Sequence, residues 1–286
     1  MSRPHCVFIQ AQDLPWIEGV PGGLRPGVES RTLSREEATG AATLLMRYPR
    51  GWRRGGPEYL TVSEEFLVLD GALLINGERY AKGHFAHFPS GYGRMEALAP
   101  DGAVVLTMLS GPAVPIHGAP PTGYDGRRLV AHVDSNAMAW TSDGVDPRFQ
   151  GIPRMKRLRT DPDTRETSFL FTIPNKRLTV GGPPRPQLTH SMIEEIFCLE
   201  GDYVWGDVGH MGPGGYAWWV DGEHHGPNGT HLGFVLFVRT INGPLENFWN
   251  GPPRTIDHEF PPYTPRLPEA MRTFAKPWDR RTTTPF

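Results

Sequence analysis

The chain has 286 residues, a hydrophobic content of 38% and a formal net charge of −2. This length suits two domains of about 100–150 residues each. The sequence has no long run of Lys or Arg, which argues against nucleic acid or an anionic membrane as a partner. Its two cysteines, Cys6 and Cys198, do not suggest a disulfide framework, and no segment resembles a signal peptide or a membrane helix. We therefore expect a cytoplasmic protein.

Short apolar or alternating segments, bounded by Gly, Pro or Asp, predict β-strands along the whole chain. In the first half these segments are 42–49, 64–71, 72–77, 84–89 and 103–109. In the second half they are 168–174, 194–201, 216–222 and 232–240, and a short helix is predicted within 268–276. The 34 glycines and 30 prolines are spread along the chain, as turns between strands require. The predicted fold class is all-β, as an antiparallel sandwich or small barrel.

Several sequence blocks recur in the same order in the two halves. The clearest pairs are 33–49 with 158–174, "EEFLVLDG" (64–71) with "EEIFCLEG" (194–201), and 83–94 with 214–225. Such a repeat indicates two copies of one fold. We predict a first copy over 1–115, a linker over 116–135, a second copy over 136–265 and a tail over 266–286. The aromatic residues of the tail could pack on a neighbouring barrel or a second subunit, so a homodimer is possible.

The repeated blocks resemble the two motifs of the cupin superfamily. The first motif is a glycine, H-x-H, three or four residues, Glu, six residues and Gly; the second is P-x-G-x-x-H. In the second copy, Glu194 is followed by six residues and Gly201, His190 lies at the second His position and His225 ends the second motif. Leu188 stands at the first His position. The chain is similar to a bacterial bicupin group of undefined function, which implies two tandem double-stranded β-helix, or jelly-roll, barrels.

The resemblance implies that His190, Glu194 and His225 hold one divalent metal ion in the second barrel. Two imidazoles and a carboxylate that converge in an apolar interior would be costly without a charge to bind. Two His and one carboxylate with open positions are typical of non-haem Fe(II) oxygenases, so Fe(II) is the expected metal. Zn, Mn, Ni or Co would suit the same ligands, and a metal-free polar cluster is the alternative interpretation.

Residues near these ligands are candidates for a substrate pocket, whose walls are typically aliphatic or aromatic. The candidates are Leu188, Ile196, Cys198, Trp218 and His224. Arg185 and Arg239 could bind an anionic group of a substrate or could form surface salt bridges, which is the commoner role.

The first copy departs from the metal-binding pattern. Its corresponding positions are Glu58, Leu60, Glu64 and Arg94. Both histidines of H-x-H are missing, and an arginine, which cannot ligate a cation, stands at the last His position. An arginine can bind a carboxylate through two hydrogen bonds. We therefore predict a first barrel without metal and an ion pair between Glu64 and Arg94.

By resemblance to cupin dioxygenases, we expect an Fe(II)-dependent enzyme that acts on a small phenolic, enol or diketone-like compound. One alternative is redox-neutral isomerisation, decarboxylation or hydrolysis at the same metal, because the fold does not determine the reaction. Another is a non-catalytic protein that binds a metal or a small molecule. The sequence assigns no catalytic acid or base.

Overall fold

A computed structural model describes residues 3–120, 123–175, 178–206 and 208–286. The chain forms two compact units, one of Arg3 with Leu14–Met138 and one of Pro4–Asp13 with Ala139–Phe286. Residues 4–13 therefore do not join the first copy, to which the sequence assigned them. Their apolar strand β1 (Cys6–Gln10) is buried throughout and pairs with a strand of the second unit.

The first unit is one antiparallel sheet. Its strands are β2 (Ile17–Glu18), β3 (Glu29–Arg35), β4 (Ala42–Tyr48), β5 (Trp52–Leu60), β6 (Glu64–Ile75), β7 (Glu78–Ala81), β8 (His84–Phe88), β9 (Arg94–Ala99), β10 (Ala103–Leu109), β11 (Pro115–His117) and β12 (Val130–Asp134). Within the described residues their order is β11-β5-β9-β6-β10-β4-β3-β2, while β7 and β8 pair with β6, and β12 with β8. Strand β12 thus lies in the segment that the sequence assigned to a linker.

The second unit contains two antiparallel sheets. Its strands, besides β1, are β13 (Arg154–Thr160), β14 (Thr167–Pro174), β15 (Ile193–Gly201), β16 (Tyr203–Trp205), β17 (Gly209–Met211), β18 (Gly215–Trp219), β19 (Asn228–Gly229) and β20 (Gly233–Ile241). The larger sheet has the order β1-β18-β15-β20-β14-β13, and the smaller one β17-β16-β19. The sequence-predicted strands are present, except that the segments 64–71 and 72–77 form the single strand β6. The short helix, α1 (Glu269–Arg272), is present as well, and the fold is all-β. Of the helices in the described ranges, none has the length and apolar character needed to cross a membrane.

The register of β15 decides which side chains enter the core of the second unit. Glu194 pairs with Trp219 of β18, and Ile196 pairs with Ala217 of β18 and Val238 of β20. Ile196, Ala217, Trp219 and Val238 belong to one apolar core cluster. Because side chains alternate along a strand, Glu194 lies on the same face as Ile196 and enters this apolar interior.

Candidate metal centre

Two backbone pairings position the histidines on either side of Glu194. Leu188 and His225 exchange two backbone hydrogen bonds of 2.9 Å, which holds the segment before β15 against the segment after β18. Thr189 and Phe248 exchange another two hydrogen bonds of 2.9 Å. His190, which directly follows Thr189, is therefore held from two sides although it lies outside any strand.

The three predicted ligands meet in one buried cluster. The Nε2 atom of His190 lies 3.6 Å from Oε2 of Glu194, and the Nε2 atom of His225 lies 3.7 Å from the same oxygen. One potential ligand atom from each residue lies within 4.8 Å of the others. His190 and His225 are only 5% and 4% exposed.

Hydrogen bonds on the far side of each imidazole orient its ligand atom. His190 Nδ1 lies 2.9 Å from the carbonyl oxygen of Glu246, and His225 Nδ1 lies 3.3 Å from that of Glu223. A carbonyl only accepts, so in each ring Nδ1 carries the proton and the lone pair of Nε2 faces Glu194. Nε2 of His190 is buried and has no hydrogen-bond partner within the described residues. This arrangement is the one by which proteins orient metal-bound histidines.

The electrostatics of the cluster favour a bound cation. Burial opposes the charge on His190, but the Glu194 carboxylate outweighs burial and raises the pKa of His190. Burial dominates at His225 and lowers its pKa to about 4. Burial also opposes the charge on Glu194, but the two imidazoles outweigh it and lower the pKa of Glu194. The centre therefore offers an ionised carboxylate and a neutral His225, two of the donor types that a divalent metal binds.

A second group with metal-binding residue types, Asp202, His210 and His231, has its carboxylate already saturated. The potential ligand atoms of this group also lie within 4.8 Å of one another. Asp202 accepts hydrogen bonds of 2.7 Å from His210 Nε2 and from Thr230 Oγ1, and further ones from the backbone N–H groups of His231 and Leu232. These hydrogen bonds indicate that Asp202 stabilises a turn. A cation would have to displace them to bind this group.

Two cavities that share several lining residues lie beside the candidate centre. The outer one has a volume of about 310 Å³ and is lined by His225 and Leu188. The inner one, of about 50 Å³, is lined by Glu194, Ile196, Leu188 and His225. Most of the other lining residues are aromatic or aliphatic; Phe149, Phe171 and Tyr203 line both cavities, and Phe234 lines the outer one. Glu194 and His225 therefore border a largely apolar pocket.

Residues 6–247 match the family model of DUF4437, a domain of unknown function. The chain belongs to the DUF4437 family. No curated protein sequence matches this DUF4437 chain.

Solved structures resemble the DUF4437 chain at low sequence identity. A Nostoc punctiforme protein, which its description proposes as a dioxygenase, has a TM-score of 0.70 at 17% identity, with 83% of each chain covered. A Pseudomonas aeruginosa protein proposed to be glyoxylate-induced has a TM-score of 0.56 at 13% identity, over 86% of this chain and 92% of the other. A point mutant of Bacillus subtilis oxalate decarboxylase has a TM-score of 0.52 at 11% identity, over 85% of this chain and 78% of the other. These likenesses concern the fold alone.

The substrate-pocket candidates of the DUF4437 chain fall in different places. Leu188 lines both cavities, Ile196 lines the inner one, and His224 lines a separate polar cavity of about 390 Å³. Cys198 is part of the apolar core. Trp218 lies opposite Glu195 and lines none of these three cavities.

Trp219, which sequence reasoning missed, contacts the centre instead of Trp218. Its ring stacks on the His225 ring, with centroids 4.8 Å apart and an angle of 28° between the planes. Trp219 pairs with Glu194 in the sheet, so the two share a face. Only the register of β15 against β18, which no local pattern reveals, could have selected Trp219.

The corresponding positions of the first unit form a buried ion cluster. The expected ion pair between Glu64 and Arg94 is present, and Arg25, which sequence reasoning missed, binds the same carboxylate. Burial opposes ionisation of Glu64, but the two arginines outweigh it and lower its pKa. Glu58 is buried with Arg54 Nε 3.1 Å from its Oε1, and Leu60 lies in the apolar core.

Proposed function

We propose that this protein is a mononuclear metal-dependent cupin enzyme in which His190, Glu194 and His225 hold one divalent ion. The observation that supports this most is that two imidazoles direct Nε2 at an ionised carboxylate, Glu194, which lines a largely apolar cavity. We further propose Fe(II) as the ion and dioxygenation of a small phenolic, enol or diketone-like compound as the reaction. The two-His, one-carboxylate set and the similarity to the Nostoc protein support this choice.

The chain's own residues would prepare such a reaction in three ways. A bound ion would supply Lewis acidity and open coordination positions for substrate and dioxygen. The backbone carbonyls of Glu246 and Glu223 hold the proton of each neutral imidazole on Nδ1, which leaves Nε2 as the ligand atom, and Glu194 lowers the net charge of the centre. Leu188 and the aromatic walls exclude water from the reacting groups.

A redox-neutral decarboxylase is the second candidate function. The similar Bacillus subtilis oxalate decarboxylase is described with Mn(II) centres. The ligand types of this chain suit Mn(II) as well as Fe(II), so the same pocket could support decarboxylation without consuming dioxygen.

Metal content tests the proposed ligands. Protein purified without chelators and reconstituted with Fe(II) should contain about one ion per chain by elemental analysis, because each centre offers one donor set. His225→Ala should lose the ion. His224→Ala is the matched control, since His224 is the exposed neighbour of a buried ligand, and it should retain the ion. A wild-type protein without bound metal would refute the proposal.

Oxygen consumption separates the two candidate reactions. With the Fe(II)-loaded protein and a panel of phenols, enols and β-diketones, dioxygenation consumes about one O₂ per substrate, which an oxygen electrode measures. Release of CO₂ from a carboxylic acid without oxygen consumption would favour the decarboxylase instead.

The bicupin arrangement, the cytoplasmic location and the homodimer stay predictions of the sequence. Light scattering of the purified protein tests the last of these, and a strict monomer would contradict it.

A further inference from the structure

Two arginines line the outer cavity, and they differ in how their charge is compensated. Arg148 forms a two-pronged ion pair with Asp146, with Nη2 2.7 Å from Oδ2, and donates a further hydrogen bond of 3.1 Å to the carbonyl of Asn247. Arg148 is thus neutralised by its neighbour. A ligand in the cavity would have to compete with Asp146 for it.

Arg185 has a fixed backbone and an uncompensated side chain. Its backbone exchanges two hydrogen bonds of 2.9 Å with that of Arg254, which holds the residue at the cavity wall. The residue is half-buried, and in the ranges that the structure describes no carboxylate pairs with its guanidinium. Arg239, the other arginine singled out in the sequence, instead pairs with Glu195 at 3.1 Å. The salt-bridge interpretation therefore applies to Arg239 and not to Arg185.

The surroundings of Arg185 suit a ligand that combines a planar apolar group with an anionic group. Phe149, Phe171, Tyr203, Phe234 and Trp249 line the same cavity. A volume of about 310 Å³ lies within the range of small-molecule sites. His225 lines the cavity as well, so one ligand could face the candidate metal centre and Arg185 together.

We propose that Arg185 binds a carboxylate of the substrate, so that the small phenolic, enol or diketone-like compound is also a carboxylic acid. This proposal rests on the proposed function, because it assigns a substrate class to the same pocket. A guanidinium matches a carboxylate with two parallel hydrogen bonds, which are strong where water is partly excluded. A divalent ion beside Glu194 would add a net positive charge to the pocket, which further favours an anionic ligand over a neutral one.

Calorimetric titration of the Zn²⁺-loaded protein with benzoate, and with its neutral analogue benzamide, tests this assignment. Benzoate should bind more tightly than benzamide to the wild type. In Arg185→Gln the Kd for benzoate should rise about tenfold or more, because a hydrogen-bonded charge is lost, while the Kd for benzamide stays unchanged. Arg185→Lys, which keeps the charge but not the planar fork, should lose less affinity than Arg185→Gln.

Arg281→Gln is the matched control, because it removes one positive charge from an arginine that is 91% exposed in the same unit. Its benzoate affinity should equal that of the wild type. Equal binding of benzoate to wild type and Arg185→Gln, or no binding to the wild type, would overturn the proposal.

Metal analysis of the same samples distinguishes the two proposals. If benzoate binding depends on Arg185 in protein that cannot hold metal, the carboxylate site at Arg185 is supported and the metal-dependent function is refuted. If the protein binds metal but not benzoate, only the carboxylate site at Arg185 is refuted.

Discussion

Glu64 and Glu194 stand at corresponding positions of the two sequence copies, and both carboxylates are buried. An ionised carboxylate in an apolar interior is stable only beside a compensating positive charge. At Glu64 two arginines, Arg25 and Arg94, supply that charge. At Glu194 two imidazoles approach, and only one of them has a raised pKa. The second site therefore has room for a cation where the first has a guanidinium.

Replacing Glu64 should destabilise the protein strongly. Glu64→Gln leaves two buried arginines without their carboxylate, a change that costs about 3–5 kcal/mol at neutral pH in comparable buried pairs. The pKa of Glu64 lies below its usual 4.5, so its contribution is complete above pH 4.5 and is lost as the pH falls through the folded-state pKa. The difference in unfolding free energy between wild type and variant, measured by urea denaturation, should therefore decrease below pH 4.5.

Glu29→Gln is the control for this experiment. Glu29 also pairs with an arginine, Arg47, but is 41% exposed, so its loss should cost at most about 1 kcal/mol. Equal costs for the two substitutions would contradict a compensating role of the buried ion cluster.

The motif glycine recurs in both copies, as Gly71 within β6 and Gly201 at the end of β15, because the backbone of a neighbouring strand approaches it closely. Gly71 and Gly201 have φ angles of 67° and 76°, a region in which side chains are strained. A Cβ on Gly71 would overlap the carbonyl oxygen of Gly102, and one on Gly201 would overlap that of Gly233. The backbone of the next strand thus approaches each glycine too closely for any other residue.

Gly201→Ala should cost more than the strain of a positive φ alone. Gly222 has a φ of 75° but open space around its Cβ position, so Gly222→Ala isolates the strain, about 1–2 kcal/mol. Gly201→Ala would also displace the start of β20. Its loss of unfolding free energy in urea denaturation should therefore exceed that of Gly222→Ala by about 1–3 kcal/mol. Equal losses of unfolding free energy in the two variants would show that β20 can shift without destabilising the protein.

At the scale of the whole molecule, the proposed ion would join three separate segments of the second unit. His190 precedes β15, Glu194 lies in β15, and His225 lies in the segment between β18 and β19. A ligand that binds only the folded state stabilises that state in proportion to its affinity and concentration. The first unit has an internal ion pair at the corresponding positions and so should not depend on the ion.

Removal of the metal should therefore affect the two units differently. After treatment with a chelator, amide hydrogen exchange should accelerate around 188–194 and 224–226 and the melting temperature should fall, while exchange in β4, β6 and β10 stays unchanged. Hydrogen exchange followed by mass spectrometry measures both regions in one sample. Unchanged exchange around the proposed ligands would argue against a bound ion, and restored protection on adding Zn²⁺ would support one.

Most strand positions and the all-β class could be predicted because they depend on neighbouring residues. Alternation of apolar side chains and the positions of Gly and Pro are local properties of the chain. The grouping of His190, Glu194 and His225 came from the resemblance to the cupin motifs. The opposed charges of Glu64 and Arg94 could likewise be paired through the repeat.

Tertiary structure alone decided the contacts between distant segments. An apolar strand such as β1 carries no signal of which sheet it joins, and a register cannot be read from one strand, so Trp219 was missed in favour of Trp218. Arg25 and Arg185 look alike in the sequence, yet one is bound to a buried carboxylate and the other pairs with no acid among the described residues. Sequence specifies residue chemistry and local geometry, whereas the partner of a charge depends on which segments the fold brings within a few ångströms.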